Sequence, residues 1–174
     1  ELEGAVVSID DAPDGQKGES GYIRFPGQTR LAVDHFGDGT RHAFKALASL
    51  IALAESVDDE HPGLFLWEDP ELFMHPATLG SLLREAMKLV QGKPIQVFMS
   101  TQSLDVVASL TEMLRNKRVS ENDVMAFRLA LSNGSLRASW FDYRNLITWL
   151  EEGKDPRFWM QGETLLQYRL EKES

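Results

Sequence analysis

Leu64-Phe65-Leu66-Trp67-Glu68-Asp69-Pro70-Glu71 is the stretch on which the fold turns. The unbroken apolar run predicts a short buried strand of a parallel sheet, because strands covered on both faces lose their polar alternation. The run then stops at adjacent carboxylates, and the segment closes at Met74-His75-Pro76. Unpaired acids are costly to bury unless a cation or hydrogen bonds compensate, so packing does not explain an apolar strand that ends this way.

Working outward, residues 77–91 carry Leu79, Leu82, Leu83, Ala86, Met87 and Val90 at helical spacing, and Gly92-Lys93-Pro94 stops that helix. Ile95-Gln96-Val97-Phe98-Met99 predicts a second buried strand, and a helix follows Ser103 to about Leu114. Strand, helix, strand, helix implies parallel pairing through crossovers. Upstream, Ala43–Val57 is apolar on most faces and reads as a largely buried helix, ended by residues 58–63. Ala5–Ile9 is β-rich and runs into the breakers of residues 10–15; Tyr22–Phe25 and Thr29–Val33 suggest a hairpin across Pro26-Gly27. Downstream, Val124–Leu131 and Leu136–Phe141 suggest a hairpin across Asn133-Gly134, and residues 143–152 and 162–171 read as helices. Trp140, Tyr143, Trp149, Phe158 and Trp159 read as packing residues. The expectation is one α/β domain over residues 1–174, mainly parallel sheet flanked by helices, with N-terminal and C-terminal β-hairpins.

Composition narrows the function. A chain of 174 residues is long enough to bury a sizeable core. It has no cysteine, which excludes disulfides and thiolate metal sites and fits a reducing, cytoplasmic setting. No apolar run approaches the roughly 20 residues that span a bilayer, so no membrane role is expected. The start, Glu1-Leu2-Glu3-Gly4, has neither the basic residues nor the apolar run of a signal peptide, and without an initiator Met it reads as the start of an excised piece. The net charge is −9 and the only basic cluster is Arg115, Lys117 and Arg118. A direct grip on nucleic-acid phosphates is therefore not expected of this segment.

Chemistry concentrates at three places. In Phe36-Gly37-Asp38-Gly39-Thr40-Arg41, glycines flank an Asp just before a long helix. Glycines let backbone approach a ligand, and a helix N-terminus suits an anion such as phosphate; a plain glycine turn with Asp38 or Thr40 as cap is the structural alternative. At Glu68-Asp69-Pro70-Glu71, one or two carboxylates suffice for Mg²⁺, and a second can take a proton from an attacking water. The alternative is a solvated loop whose acids cap the next helix. His75, before Pro76, suits a structural or loop-positioning role better than a metal ligand. In Thr101-Gln102-Ser103, Gln102 has the donor and acceptor needed to hold a water, or Ser103 simply caps a helix. Ligands of open parallel sheets bind beyond the carboxyl ends of the strands, where the second and third segments sit.

Together these segments resemble the ABC-type ATPase superfamily, in particular the AAA-annotated branch that includes OLD-family and SMC/RecF-like proteins. Gly37-Asp38-Gly39-Thr40-Arg41 matches its signature, Glu68-Asp69-Pro70-Glu71 with His75-Pro76 its Walker B and D-loop, and Thr101-Gln102-Ser103 its switch strand, over roughly residues 30–110. The resemblance implies the C-terminal lobe of a P-loop ATPase head that uses ATP and Mg²⁺. Gly37, Asp38, Gly39, Thr40 and Arg41 would meet ATP held by a partner head, and Glu68 would take the Mg²⁺-linked position. Asp69 would be the catalytic base, Glu71 and His75 would lie in the D-loop, and Gln102 would stand at the switch histidine.

Three departures qualify the match. The usual Asp-Glu order is reversed, Gln102 stands for histidine, and no G-x-x-x-x-G-K-[S/T] occurs. The implied partner is a Walker A-bearing segment of the same or another chain, in a head-to-tail homodimer, with nucleic acid reached through the parent protein. A non-hydrolysing, ATP-dependent dimerisation module is the alternative. A nuclease using Glu68, Asp69, Glu71 and His75 with a metal is a third reading, disfavoured by the acidic charge.

Overall fold

The computed structural model describes residues 4–11, 18–153 and the backbone of 163–169. These fall into two compact units, Glu1–Thr101 and Gln102–Ser174. Phe158 and Trp159 lie outside the described residues.

In the first unit, β1 (Val6–Asp11), β2 (Glu19–Arg24) and β3 (Leu31–Ala32) form an antiparallel sheet in that order. Its β2–β3 hairpin turns at Gly27, whose φ of +72° glycine adopts without strain. Arg30 closes the hairpin region from outside: it pairs with Asp10 at 2.6 Å and stacks over Tyr22. Helix α1 (Asp38–Ser56) begins at Asp38 rather than at Ala43. It buries the stripe Ala43, Ala46, Leu50 and Ala54, while Ile51 is exposed, so the expectation of a largely buried helix gives way to a one-sided one. Helix α2 (Pro76–Val90) packs on α1 through Leu79, Leu82, Leu83 and Ala86, the face its spacing predicts.

The decisive stretch forms β4 (Gly63–Glu68), which pairs in parallel with β5 (Ile95–Ser100), Leu66 opposite Phe98 and Glu68 opposite Ser100. Helix α2 supplies the crossover between them. Trp67 is buried and donates from its indole nitrogen to His42 of α1 at 3.5 Å. The other face differs from expectation: Leu64, Leu66 and Phe98 are exposed, Leu66 at 71%. A continuous apolar run predicts cover on both faces, and among the described residues this pair has only one face covered.

The second unit contains α3 (Leu104–Arg115), β6 (Ala126–Ser132), β7 (Ser135–Phe141), α4 (Tyr143–Glu152) and β8 (Glu163–Arg169). Its sheet is antiparallel in the order β6–β7–β8. Leu114 of α3, Phe141 of β7 and Leu146 of α4 form its core cluster. Asp142 opens α4 with a reciprocal capping box to Asn145. The helix expected over 162–171 is instead strand β8. Leu166 and Tyr168 alternate with Gln167 and Arg169 in the sequence, and β7 offers an edge whose backbone groups need partners. That long-range pairing outweighs weak helical propensity. Among the described residues, no helix is long and apolar enough to cross a membrane.

Candidate functional site

In the first unit, the polar groups gather where β4 and β5 end. The parallel ladder closes at Glu68 and Ser100, and Asp69 extends it by one bond, its N–H donating to the Ser100 carbonyl at 2.9 Å. The backbone then leaves strand geometry sharply: Asp69 has φ +45°. Two turns follow, Leu72 N–H to Asp69 O and Met74 N–H to Glu71 O, both at 3.0 Å. Phe73 stands at φ +61°, a conformation that a bulky side chain adopts only at a cost of about 1–3 kcal/mol. Glu68 is exposed, Asp69 and Glu71 are half-buried, and Pro70 is buried.

Glu71 reaches back toward β5. Thr101 Oγ1 donates to Glu71 Oε1 at 2.8 Å. The other oxygen, Oε2, is buried and accepts no hydrogen bond. His75 caps α2, its Nδ1 accepting from the Ala77 N–H at 3.2 Å with Pro76 at the first helical position. That is the structural, loop-positioning use of this histidine. Among the described residues, no group of three or more His, Asp or Glu side chains is gathered to hold a metal.

The glycine-flanked segment begins α1. Gly37 is the N-cap, and its carbonyl accepts from Thr40 and Arg41. Neither Asp38 nor Thr40 caps the helix; Asp38 instead pairs with Arg41 on the exposed first turn. The two glycines have different surroundings. A Cβ on Gly39 would lie 2.5 Å from the Phe73 carbonyl oxygen, so this position is kept small by the loop that leaves β4. A Cβ on Gly37 would meet nothing within 4 Å, and its φ of −65° suits any residue. Gly39 is thus explained by internal packing and Gly37 is not.

The helix start and the acid-bearing loop therefore meet at Gly39 and Phe73. Leu72 and Phe73 are exposed beside them, Phe73 at 66%. Gln102, also exposed, is the first residue of the second unit, and Ser103 caps α3 by accepting from the Asp105 N–H. Neither the Thr101–Glu71 bond nor the Gly39–Phe73 contact was legible from sequence. The only signals were a threonine among polar residues at a strand end and a glycine where helix propensity favours alanine.

A parallel strand pair with acids at its carboxyl end, packed against a glycine-flanked helix start, is the layout of a nucleotide-handling α/β domain. The chain belongs to the family described as "AAA domain, putative AbiEii toxin, Type IV TA system", whose model matches residues 4–108. Its fold is similar to that of a solved chain described under "ATP-driven dimerization and DNA stimulated activation of SMC ATPases". That superposition has a TM-score of 0.57 at 11% identity and covers 87% of this chain and 83% of the other. No curated protein matches the sequence. By family the chain carries an AAA-type ATPase domain, and its fold is shared with an SMC ATPase; the OLD branch is an expectation drawn from the motifs alone.

Proposed function

We propose that this chain serves as the signature- and Walker B-bearing part of an ATPase head that pairs head to tail with a second head across ATP. The observation that carries this reading is the contact of the glycine-flanked helix start with the loop leaving β4. It gathers Gly37, Asp38, Leu72 and Phe73 into one exposed surface that the chain's own packing leaves unexplained. The neighbouring solved chain is described as dimerising under ATP, which agrees with such a face.

In this reading Gly37, Asp38, Gly39, Thr40 and Arg41 meet ATP carried by the partner head, with free N–H groups at the start of α1 facing phosphate oxygens. A Walker A-bearing segment, of this or another chain, completes the nucleotide site. Glu68, an exposed hard-oxygen donor at a strand end, fits Mg²⁺ and would hold it; the ion supplies charge neutralisation at the phosphates. Asp69 accepts the proton of the attacking water and Gln102 orients that water. The rest of catalysis is positioning. Nucleic acid, if engaged, is met elsewhere in the assembly, since the segment carries a net charge of −9. The intracellular, cytoplasmic setting belongs to the same proposal.

The test is Mg²⁺-dependent ATP turnover by the protein joined to its Walker A segment. Asp69→Asn is expected to lower kcat by about a hundredfold, the scale of a general base's contribution, while stability stays level because Asn tolerates positive φ. Unchanged turnover in that variant would sink the assignment. The second reading, an ATP-dependent dimerisation module without efficient turnover, is favoured by the short Asp69 side chain at the base position and by Gln102 in place of histidine. Tight ATP-dependent dimers with no phosphate release would establish it.

A further inference from the structure

We propose that Glu71 is a positioning residue: its bond from Thr101 clasps the loop that leaves β4 to the end of β5, and so holds the Glu68–Asp69 pair in one conformation. The part of this claim that concerns turnover rests on the ATPase reading above; the clasp itself does not.

Backbone pairing between β4 and β5 ends at the Asp69-to-Ser100 bond. Beyond it the loop contains Asp69 and Phe73 at positive φ, conformations that persist only where the surroundings over-determine them. Two backbone turns shape the loop, and neither ties it to β5. The Thr101–Glu71 bond at 2.8 Å does so. Only Pro70 separates Glu71 from Asp69, and Thr101 directly follows Ser100, the last paired residue of β5 and the partner of Glu68, so the bond spans the mouth through which both segments leave the sheet.

The burial of the carboxylate makes this arm matter. Glu71 Oε2 is buried and accepts nothing, so among the described residues the Thr101 hydroxyl is the donor this carboxylate has. Remove that hydroxyl and both oxygens lack a donor, which drives the side chain outward toward water. The loop then loses its tether and Asp69 loses what keeps its left-handed backbone in place. Pro70, fully buried between Asp69 and Glu71, transmits the displacement because its ring fixes φ. Gly39 against the Phe73 carbonyl braces the same loop two residues after the clasp.

The experiment compares Thr101→Val, Thr101→Ser and Glu71→Gln in the full protein by amide hydrogen exchange and by turnover. Valine is nearly isosteric with threonine and lacks the donor, serine keeps it, and glutamine keeps an acceptor oxygen. Thr101→Val is expected to raise exchange in residues 69–74 by about tenfold while the α2 core around Leu83 stays protected, and Thr101→Ser to restore the native rates. Glu71→Gln is expected to fall between them. In the turnover assay Thr101→Val lowers kcat by about tenfold with KM for ATP held within about twofold, and serine rescues it. Exchange in 69–74 that is the same in all three variants overturns the clasp, as does equal loss in Val and Ser. Loosened exchange with unaltered kcat overturns the positioning role. A wild-type protein without any ATP turnover refutes the ATPase reading, and the exchange result then decides the clasp alone.

Discussion

The loop leaving β4 and the turn joining β6 to β7 both contain non-glycine residues at positive φ, and they reach that state in opposite ways. In the β6–β7 turn, Asn133 has φ +50° and Gly134 φ +73°, between the paired residues Ser132 and Ser135. Asn-Gly is the dipeptide best suited to a two-residue hairpin that needs positive φ at both centres, so this turn is specified by its own residues. In the loop leaving β4, Asp69 and Phe73 occupy the same region of backbone space, and Phe73 has no intrinsic tolerance for it. That loop is held by contacts from outside it: the Ser100 carbonyl, the Thr101 hydroxyl and the face of Gly39. Locally specified turns are built for stability, whereas strain imposed by tertiary contacts concentrates where function needs a set geometry.

The sharpest way to break this comparison is Gly39→Ala. At a helical position alanine is favoured over glycine by about 1 kcal/mol. Here the added methyl would stand 2.5 Å from the Phe73 carbonyl, so a net destabilisation of about 2 kcal/mol is expected in chemical denaturation. A stabilised variant would mean that the loop supports itself. Gly37→Ala, in open space, is the control and should cost less than about 1 kcal/mol.

Next in size is Gly134→Ala, which places a Cβ at φ +73° and should destabilise the second unit by about 1 kcal/mol. A silent substitution would show that the hairpin does not depend on its turn. Phe73→Asn works in the opposite direction. Asparagine tolerates the left-handed region and the phenylalanine ring is 66% exposed, so a rise in stability of up to about 1 kcal/mol is expected. A loss of ATP-dependent dimerisation in the same variant would place the ring on the pairing face, and a loss of stability would show that the backbone at this position is not strained.

The smallest effect concerns a third, exposed turn. Asp58 Oδ1 accepts from the side chain of His61 and from the backbone N–H groups of His61 and Glu60. These bonds, the His61 side chain first, hold its carboxyl below the ordinary carboxylate range. The folded-state pKa is lowered, so the contribution to stability is present at neutral pH and is lost as pH falls through the carboxylate range. Asp58→Asn should flatten the acid limb of the stability–pH curve slightly, and an unchanged limb would remove Asp58 from the account.

Much of the chain was legible from its residues. The boundaries of β4, α2, β5, α3 and α4 follow from apolar period, caps and breakers, because each of these signals acts over a few residues. The Asn133-Gly134 hairpin follows for the same reason. Strand β8 was not legible, since its backbone partners lie on β7 and long-range pairing leaves only a short alternation in the sequence. The apolar runs predict a buried Leu64–Leu66–Phe98 face that is in fact exposed, because an apolar run states what the strand would bury and not what is present to cover it. At the candidate site, the acids at the end of β4 and the glycine-flanked helix start could be named in advance. Their mutual packing could not.

The sequence by itself determined the order of elements, the parallel β4–β5 pairing through α2, the turn chemistry, and which residues carry charge at the strand ends. Those follow from local propensity and periodicity, which each segment carries within itself. Only the tertiary structure decided that Gly39 is small for the sake of Phe73, that Thr101 holds Glu71, and that Asp69 and Phe73 stand in left-handed backbone. Those features arise where segments far apart in sequence compete for the same space and the same hydrogen-bonding groups, and neither segment encodes the other's position.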